Sequence, residues 1–414
     1  MSGPGALRGS PGFGRFWWAF TASEFGTYLT SLAIAVLIKY QLGGSTADAG
    51  WVNACRWVPY AVFGLLAGAL VDRMRRRPVQ VTADIARAVL LAVPAVLALT
   101  DRLTIPLLAG FLLLFGMWSL AGDAASQAFL PRLVPRSLLT AANARIDQSS
   151  AVAQTAGPGL AGLVLAALSA PVAFLLDAVT YLVSGLVLLG IDVEEPRAHR
   201  RPGSTLRSEV REGLRWVYRH PALTPLALAT HLWFVFWGMS GAVLAFFILS
   251  TVQLGSPALD SLALGIAGSV AGIGALVGSS FALRWGRRFG TGVVVVACHA
   301  VMPLAYLLFA LAPAHLAGCL LIGAGQLVVG MSMGAENPNT LGFRQSVTPD
   351  ALQGRTNATM RSINRAMIVL GAPVGGLLAV HLGYRPTLWL MAAGFAAVAL
   401  VLGLSKFRTV AVPD

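Results

Sequence analysis

Twelve predominantly apolar stretches follow one another along the 414-residue chain, each close to the length a helix needs to cross a bilayer core. They lie near 16–39, 48–71, 79–99, 104–127, 142–168, 171–190, 223–250, 260–283, 291–311, 314–335, 358–380 and 386–404. A water-soluble fold has no room for so many. Charged residues make up 11% of the chain, against roughly a quarter in soluble proteins. In lipid every backbone N–H and C=O must be satisfied within the segment, so each stretch is expected as a helix. The fifth and eleventh open on polar turns, "ANARIDQSS" and "NATMRSINR", which need a neighbouring helix or a wet cavity beside them.

The charges then orient the chain. With an even number of spans both ends share one side, and 22 of the 30 basic residues fall there; Lys39, Arg102 and Arg385 fall on the other. By the positive-inside rule the basic side is cytoplasmic, so a multi-pass protein of the cell (plasma) membrane with both termini cytoplasmic is expected. The start, "MSGPGALRGSPGFGR", has no apolar core with a cleavage site, and the first span is expected to act as the insertion signal. One connection is long. Its second part, with Leu206, Val210, Leu214 and Val217 on one face and Arg207, Arg211, Arg215 and Arg219 beside them, reads as a surface helix resting on anionic headgroups. The organisation expected is a tail at 1–15, a six-helix bundle at 16–190, a basic linker at 191–222, a second bundle at 223–405 and a tail at 406–414.

The two bundles repeat each other. "PRSLLTAANA" from Pro135 aligns with "PDALQGRTNA" from Pro349, and the same offset sets Gly157 on Gly371 and Gly162 on Gly376. "GLLAG" from Gly64 likewise matches "GALVG" from Gly274, each followed by arginines. Parallel six-helix repeats about an axis along the membrane normal belong to transporters that rock around a central site.

Several stretches carry a family resemblance. "GALVDRMRRR", with Gly68, Asp72, Arg73, Arg76 and Arg77 in register, resembles the loop between spans two and three of the major facilitator superfamily, although Arg75 stands where that family usually has a turn glycine. "QTAGPGLAGL", with Gly157, Pro158 and Gly162, is similar to the fifth-span signature of the superfamily's antiporters. "VTADIARA", "FLPRLVPRSLLTAANA", "FLLDAVTYL" and "RQSVTPDALQGR" extend the likeness to the drug-efflux branch that includes macrolide and enterobactin-type siderophore exporters. The resemblance implies an all-α fold of two six-helix bundles related by a pseudo-two-fold axis. It further implies a gate in which Asp72 faces the N-terminal end of a helix in the other half. Arg76 or Arg77 would pair with an acid of span four, for which Asp123 is the candidate. Topology anchoring explains the arginines equally well but leaves Asp72 without a task.

Ionisable groups inside spans are functional candidates by default. Glu24 stands about 12 Å into the first span, near the midplane, as a proton or cation site or as a carboxylate paired with another helix. Arg56 is set to attract an anion, to pair with Glu24, or to snorkel outward. Asp84 and Arg87, three apart, are expected to pair locally, and Asp177, Arg145, Asp147, Arg361 and Arg365 to pair structurally near span ends. Glu336 ends span ten and is a candidate for the inner gate. Many proton-driven drug exporters of the superfamily have an arginine early in span four, and "IPLLAGFLLLFGMWSLAGD" has none. In "HLWFVFWGM", Trp233, Phe234 and Trp237 suit either a cavity for bulky amphipathic molecules or an interfacial belt.

Other classes fit poorly. The formal charge of +13 is not arranged as a basic patch with stacking aromatics, so no nucleic-acid partner is expected. Scattered histidines, three isolated cysteines and the lack of a phosphate-binding loop argue against metal, disulfide framework and ATP. No enzyme activity and no cofactor are expected. The reading is a monomeric secondary exporter of small amphipathic compounds among membrane lipids, driven by proton counter-transport. A siderophore or metabolite exporter, an organic-anion uptake carrier, and a non-transporting receptor on the same fold remain as alternatives.

Overall fold

The structure, a computed structural model, describes residues 7, 10–71, 74–193 and 206–410. Parts of the expected tails and linker, and Asp72 and Arg73 of the expected gate, lie outside the described residues. Within them the chain forms thirteen α-helices: α1 (Pro11–Val36), α2 (Thr46–Val71), α3 (Arg76–Leu99), α4 (Ile105–Leu133), α5 (Leu139–Ala167), α6 (Ala170–Leu189), α7 (Leu206–Arg219), α8 (Leu223–Phe247), α9 (Pro257–Phe289), α10 (Thr291–Leu311), α11 (His315–Val347), α12 (Asp350–Leu382) and α13 (Tyr384–Leu404). Eleven of these are long and apolar enough to cross a membrane. The twelfth long helix, α2, carries Asn53, Arg56 and Pro59 in its middle and packs among them.

The packing has an internal two-fold character. In the first half α1 lies against α5 and α6, α3 against α4 and α6, and α2 against α4. In the second half α8 lies against α12 and α13, α10 against α11 and α13, and α9 against α11, the same pairings in the same order. Between the halves α2 meets α12 and α5 meets α9, two contacts that exchange when the halves are swapped. Even a local irregularity repeats: α1 and α8 both end in a π-helical turn, at Leu37–Gln41 and Ile248–Val252. This is the all-α, two-bundle membrane fold that the apolar runs and repeat imply.

Small residues set the close approaches between halves. At Gly162 an added Cβ would stand 2.9 Å from Gly265 Cα and 3.0 Å from the Ser261 carbonyl oxygen, so α5 and α9 touch backbone to backbone. At Gly157 it would stand 2.6 Å from the Tyr28 ring, which fills the space between α5 and α1.

Several helices run beyond their apolar windows. α12 begins at Asp350 rather than near 358, and α11 continues to Val347 rather than stopping near 335. The added turns, "ENPNTLGFRQSV" in α11 and "DALQGRTN" in α12, are polar, so a hydropathy window ends where the helix does not. As a result Arg365, expected towards a span end, stands in the middle of α12. Asp177, also expected near an end, is fully buried within α6. The linker helix α7 turns its apolar face to protein rather than to headgroups. Val217 is buried with Ala227 of α8 and Met360 of α12, and Glu212 pairs with Arg355.

Candidate functional site

A cavity of about 210 Å³ opens among α1, α2, α3, α4 and α6, with Arg365 of α12 completing its wall. A second, of about 310 Å³, lies between the halves and is lined by Ser31, Asn53, Trp237, Ser240, Tyr306 and Gln326, among others. Trp57 and Arg365 line both, so the two cavities adjoin at these side chains and together are called the central space, polar on one side and aromatic on the other.

The first-half wall is dense with polar chemistry. Tyr60 donates its hydroxyl to Asp123 Oδ2 at 2.7 Å. Glu24 faces the same space, within electrostatic reach of Asp123 and beside the Ser150 hydroxyl. Asp84 and Arg87 form the expected ion pair; Ser184 donates to Asp84 Oδ2 at 2.7 Å, and the Arg87 guanidinium lies 4.5 Å from the Tyr181 ring centroid. Asp177, behind that wall, accepts from Thr30 at 2.5 Å and from Thr180 at 3.2 Å. Arg56 donates to Ser31 Oγ at 3.1 Å. It does not meet Glu24 in any described ion pair.

The second-half wall is aromatic. Trp237 lines the central space, while Trp233, stacked on it at 5.2 Å between centroids, is buried in the second-half core against Phe395. Phe234 packs edge-on to Trp233 at 5.0 Å. Of the three aromatic candidates, Trp237 alone lines a described cavity. Tyr60, Trp57, Tyr181 and Ser184, unremarked in the sequence, are wall residues. Their only sequence signal is polar or amphipathic side chains within two turns of Arg56 or Asp177.

The cavity is closed at the end remote from the basic residues. There the two π-helical turns bond to each other across the halves: Lys39 Nζ donates to Ser250 Oγ at 2.7 Å, and the Tyr40 hydroxyl lies 3.2 Å from the Leu249 carbonyl and 2.8 Å from Asp260 Oδ2. Thr46 and Tyr384 share a bond of 3.1 Å. Toward the basic end Asp123, on the cavity wall, is exposed, as are Arg145 and Gln148 on α5 and Arg361 on α12. The space is therefore reached from the basic end.

At that end the loop cluster is described in part. Gly68 lies in the last turns of α2, and Arg77 donates to the carbonyl oxygens of Leu188, at 3.0 Å, and Leu189 at the end of α6. These carbonyls lie at the C-terminal end of α6, where the helix leaves acceptors short of i+4 donors and carries partial negative charge, so a guanidinium suits them. Arg76 also has partners. Gly157, Pro158 and Gly162 come together where α5 meets α1 and α9; Pro158 packs on Gly265 and Gly268. Glu336 of α11 lies 3.9 Å from His299 of α10, inside the second half.

The family model described as Major Facilitator Superfamily matches residues 16–335 and 258–413. The chain belongs to the Major Facilitator Superfamily. It is accordingly a transporter of that superfamily and not an enzyme. It is 27% identical over 386 residues to the multidrug efflux pump Tap of Mycolicibacterium fortuitum, covering 89% of each chain. It is 26% identical over 362 residues to an uncharacterized MFS-type transporter, y4rN, of Sinorhizobium fredii, covering 85% of this chain and 84% of that one. Among solved structures, the nucleoside transporter NupG superposes with a TM-score of 0.77 at 13% identity, over 94% of this chain and 98% of that one. A peptide transporter, POT, in complex with sulfate superposes with a TM-score of 0.72 at 14% identity, over 94% and 93%. At such identities these two establish the fold.

Proposed function

We propose that the protein is a secondary active exporter of small amphipathic compounds, working by alternating access and exchanging substrate for protons. The observation that carries this reading is the central space itself. It holds a carboxylate, Glu24, near the middle of α1, lies between two halves of repeated architecture, is bonded shut at one end and is reached from the other. Similarity along most of the chain to a multidrug efflux pump supports export of drug-like molecules.

In this reading the basic end is cytoplasmic, at the plasma membrane, and substrate enters there. Glu24 takes up and releases the proton, with Asp123 and Tyr28 within its electrostatic reach. The two bundles rock as units on the α2–α12 and α5–α9 contacts. Gly157, Pro158 and Gly162 keep the second of these contacts tight enough to prevent leakage. Gly68, Asp72, Arg73, Arg76 and Arg77 latch the basic end when it shuts, and a single chain suffices.

The test is transport by purified protein in liposomes under an imposed inward proton gradient, with ethidium and 2-naphthylacetate as cationic and anionic amphipathic probes. Uphill movement that stops on collapse of the gradient supports the reading, and Asp72→Asn should abolish it. Movement indifferent to the gradient removes proton coupling. Absence of movement with any amphipathic probe removes drug export and turns the assignment toward a dedicated metabolite carrier or a receptor.

A further inference from the structure

Two cations in the central space lack a carboxylate partner. Arg56, on α2 of the first half, bonds Ser31 and lies 5.6 Å from the ring centroids of both Trp57 and Phe115. Arg365, on α12 of the second half, stands 4.2 Å from the centroid of the same Trp57 ring. Both are half-buried, and among the described residues neither forms an ion pair. The third guanidinium on the wall, Arg87, is held by Asp84. The nearest carboxylates, Asp123 for Arg365 and Asp177 for Arg56, act on them only at a distance: Asp123 is bonded by Tyr60 and Asp177 by Thr30 and Thr180, while Glu24 lies beside Ser150.

Such an arrangement is costly for the protein alone. Withdrawing a guanidinium from water costs several kcal/mol, and an aromatic face returns about 0.5–2 kcal/mol. The two like charges, both beside one indole, also repel each other. An anion between them would relieve both penalties, and guanidinium is the side chain best shaped to grip carboxylate, phosphate or sulfonate oxygens. The pair also straddles the halves, so an anion bound there touches both moving bodies. Trp57 beneath it and Trp237 across the space offer flat apolar surface for the rest of the molecule. Tyr60, one helical turn from Arg56 on α2, marks the level of Asp123, so the carboxylates stay available for a proton or for the amine of a zwitterion.

We propose that the transported molecule carries an anionic group on an aromatic body, the anion held between Arg56 and Arg365 and the body against Trp57 and Trp237. The proposal rests on the transport reading and narrows it to a substrate class.

Matched probes test it: 2-naphthylacetate, 2-naphthyl phosphate, 2-naphthylethanol and 2-naphthylethylamine, which share a ring and differ in charge. Binding is measured by calorimetry on the full-length protein in detergent, and movement in proteoliposomes. The expected result is that at least one anion binds about tenfold more tightly than the alcohol and the amine. Arg56→Gln and Arg365→Gln should each remove about tenfold of that preference, while binding of 2-naphthylethanol is kept, and Arg365→Lys should lose less. Preference for acetate over phosphate, or the reverse, identifies the anionic group. Equal binding of all four probes to the unaltered protein overturns the proposal without needing any variant, as does preference for the amine or failure of every probe to bind. Anion binding without movement would leave the clamp standing and sink transport; movement without charge preference would do the opposite.

Discussion

The bonds between the two π-helical turns make a quantitative prediction for Tyr40→Phe. The phenol joins the halves through Asp260 Oδ2 at 2.8 Å and the Leu249 carbonyl at 3.2 Å. Asp260 keeps a second partner, the Leu254 N–H at 2.6 Å, so the substitution strands no unpaired carboxylate. A hydrogen bond to a charged acceptor is worth about 1.5–3 kcal/mol net. Because Tyr40 is 38% exposed, the lower end of that range applies. When the halves part at this end, water replaces both bonds, so the loss falls on the closed arrangement alone. About 1.4 kcal/mol is a factor of ten in an equilibrium constant, so Tyr40→Phe should move the population about tenfold toward the state open at the far end. The readout is Gly241→Cys on the cavity wall, where a Cβ meets nothing nearer than the Asn53 amide at 3.6 Å, in a background without Cys55, Cys298 and Cys319. An impermeant maleimide added from the far side should label it about tenfold faster in Tyr40→Phe, with labelling from the basic side falling. A change below about twofold would mean that these bonds do not bias the equilibrium, and the gate would have to be sought in the α2–α12 contact instead.

Further substitutions probe three separate parts of the molecule. Glu24→Gln should abolish movement driven by a proton gradient while leaving substrate exchange between equal compartments intact; loss of both would make Glu24 a structural residue. Gly162→Leu drives a side chain into the backbone of α9 and should cost about 1–3 kcal/mol, seen as a lower thermal midpoint in detergent. Gly159→Ala, whose Cβ would meet the movable Ser269 hydroxyl, should cost less, and equal losses would deny the tight seam. His220, between α7 and α8, accepts the N–H groups of Ala222 at 3.3 Å and Leu223 at 3.2 Å through Nδ1, capping α8. Burial lowers its pKa from the usual 6.5, so the cap is complete above that value and is lost as pH falls through the lower folded one. His220→Ala should therefore cost about 1 kcal/mol at pH 8 and remove this part of the pH dependence; an unchanged profile would refute the cap.

What could be read in the sequence was whatever depends on runs and periods. Apolar length places the helices, and the Pro135/Pro349 alignment reveals the two-fold repeat that the packing displays. The Asp84–Arg87 pair follows from i,i+3 spacing on one helix. What could not be read depends on rotation about a helix axis and on partners far along the chain. Trp233 and Trp237 are one turn apart, yet the first is core and the second cavity wall, a difference set by how α8 is rotated against α12 and α13. Arg365 reads as a span-end charge because the polar start of α12 hides about two turns of helix. Asp177 meets Thr30, 147 residues away, a pairing no spacing rule anticipates.

The repeat makes the chemical asymmetry of the central space more telling. Helix packing is shared by the halves, but the charges are not: Glu24, Arg56, Asp84, Arg87 and Asp123 come from the first half, and the second contributes Arg365 to an otherwise aromatic and amide-lined wall. A symmetric scaffold needs no such division to fold or to rock, so the division bears on what is carried. A proton site needs a carboxylate held among polar neighbours, which one wall supplies. Retention of a bulky apolar body needs flat surface without competing charge, which the other supplies through Trp237 and Tyr306. Arg365 is then the point where the two chemistries meet, contributed by the aromatic half and resting on Trp57 of the polar one. Arg365→Gln should accordingly uncouple the walls: proton-driven conformational cycling, followed by maleimide labelling from each side, persists while accumulation of an anionic aromatic substrate falls by about tenfold. If cycling fails together with accumulation, Arg365 belongs to the gate, and the charge asymmetry serves motion instead of recognition.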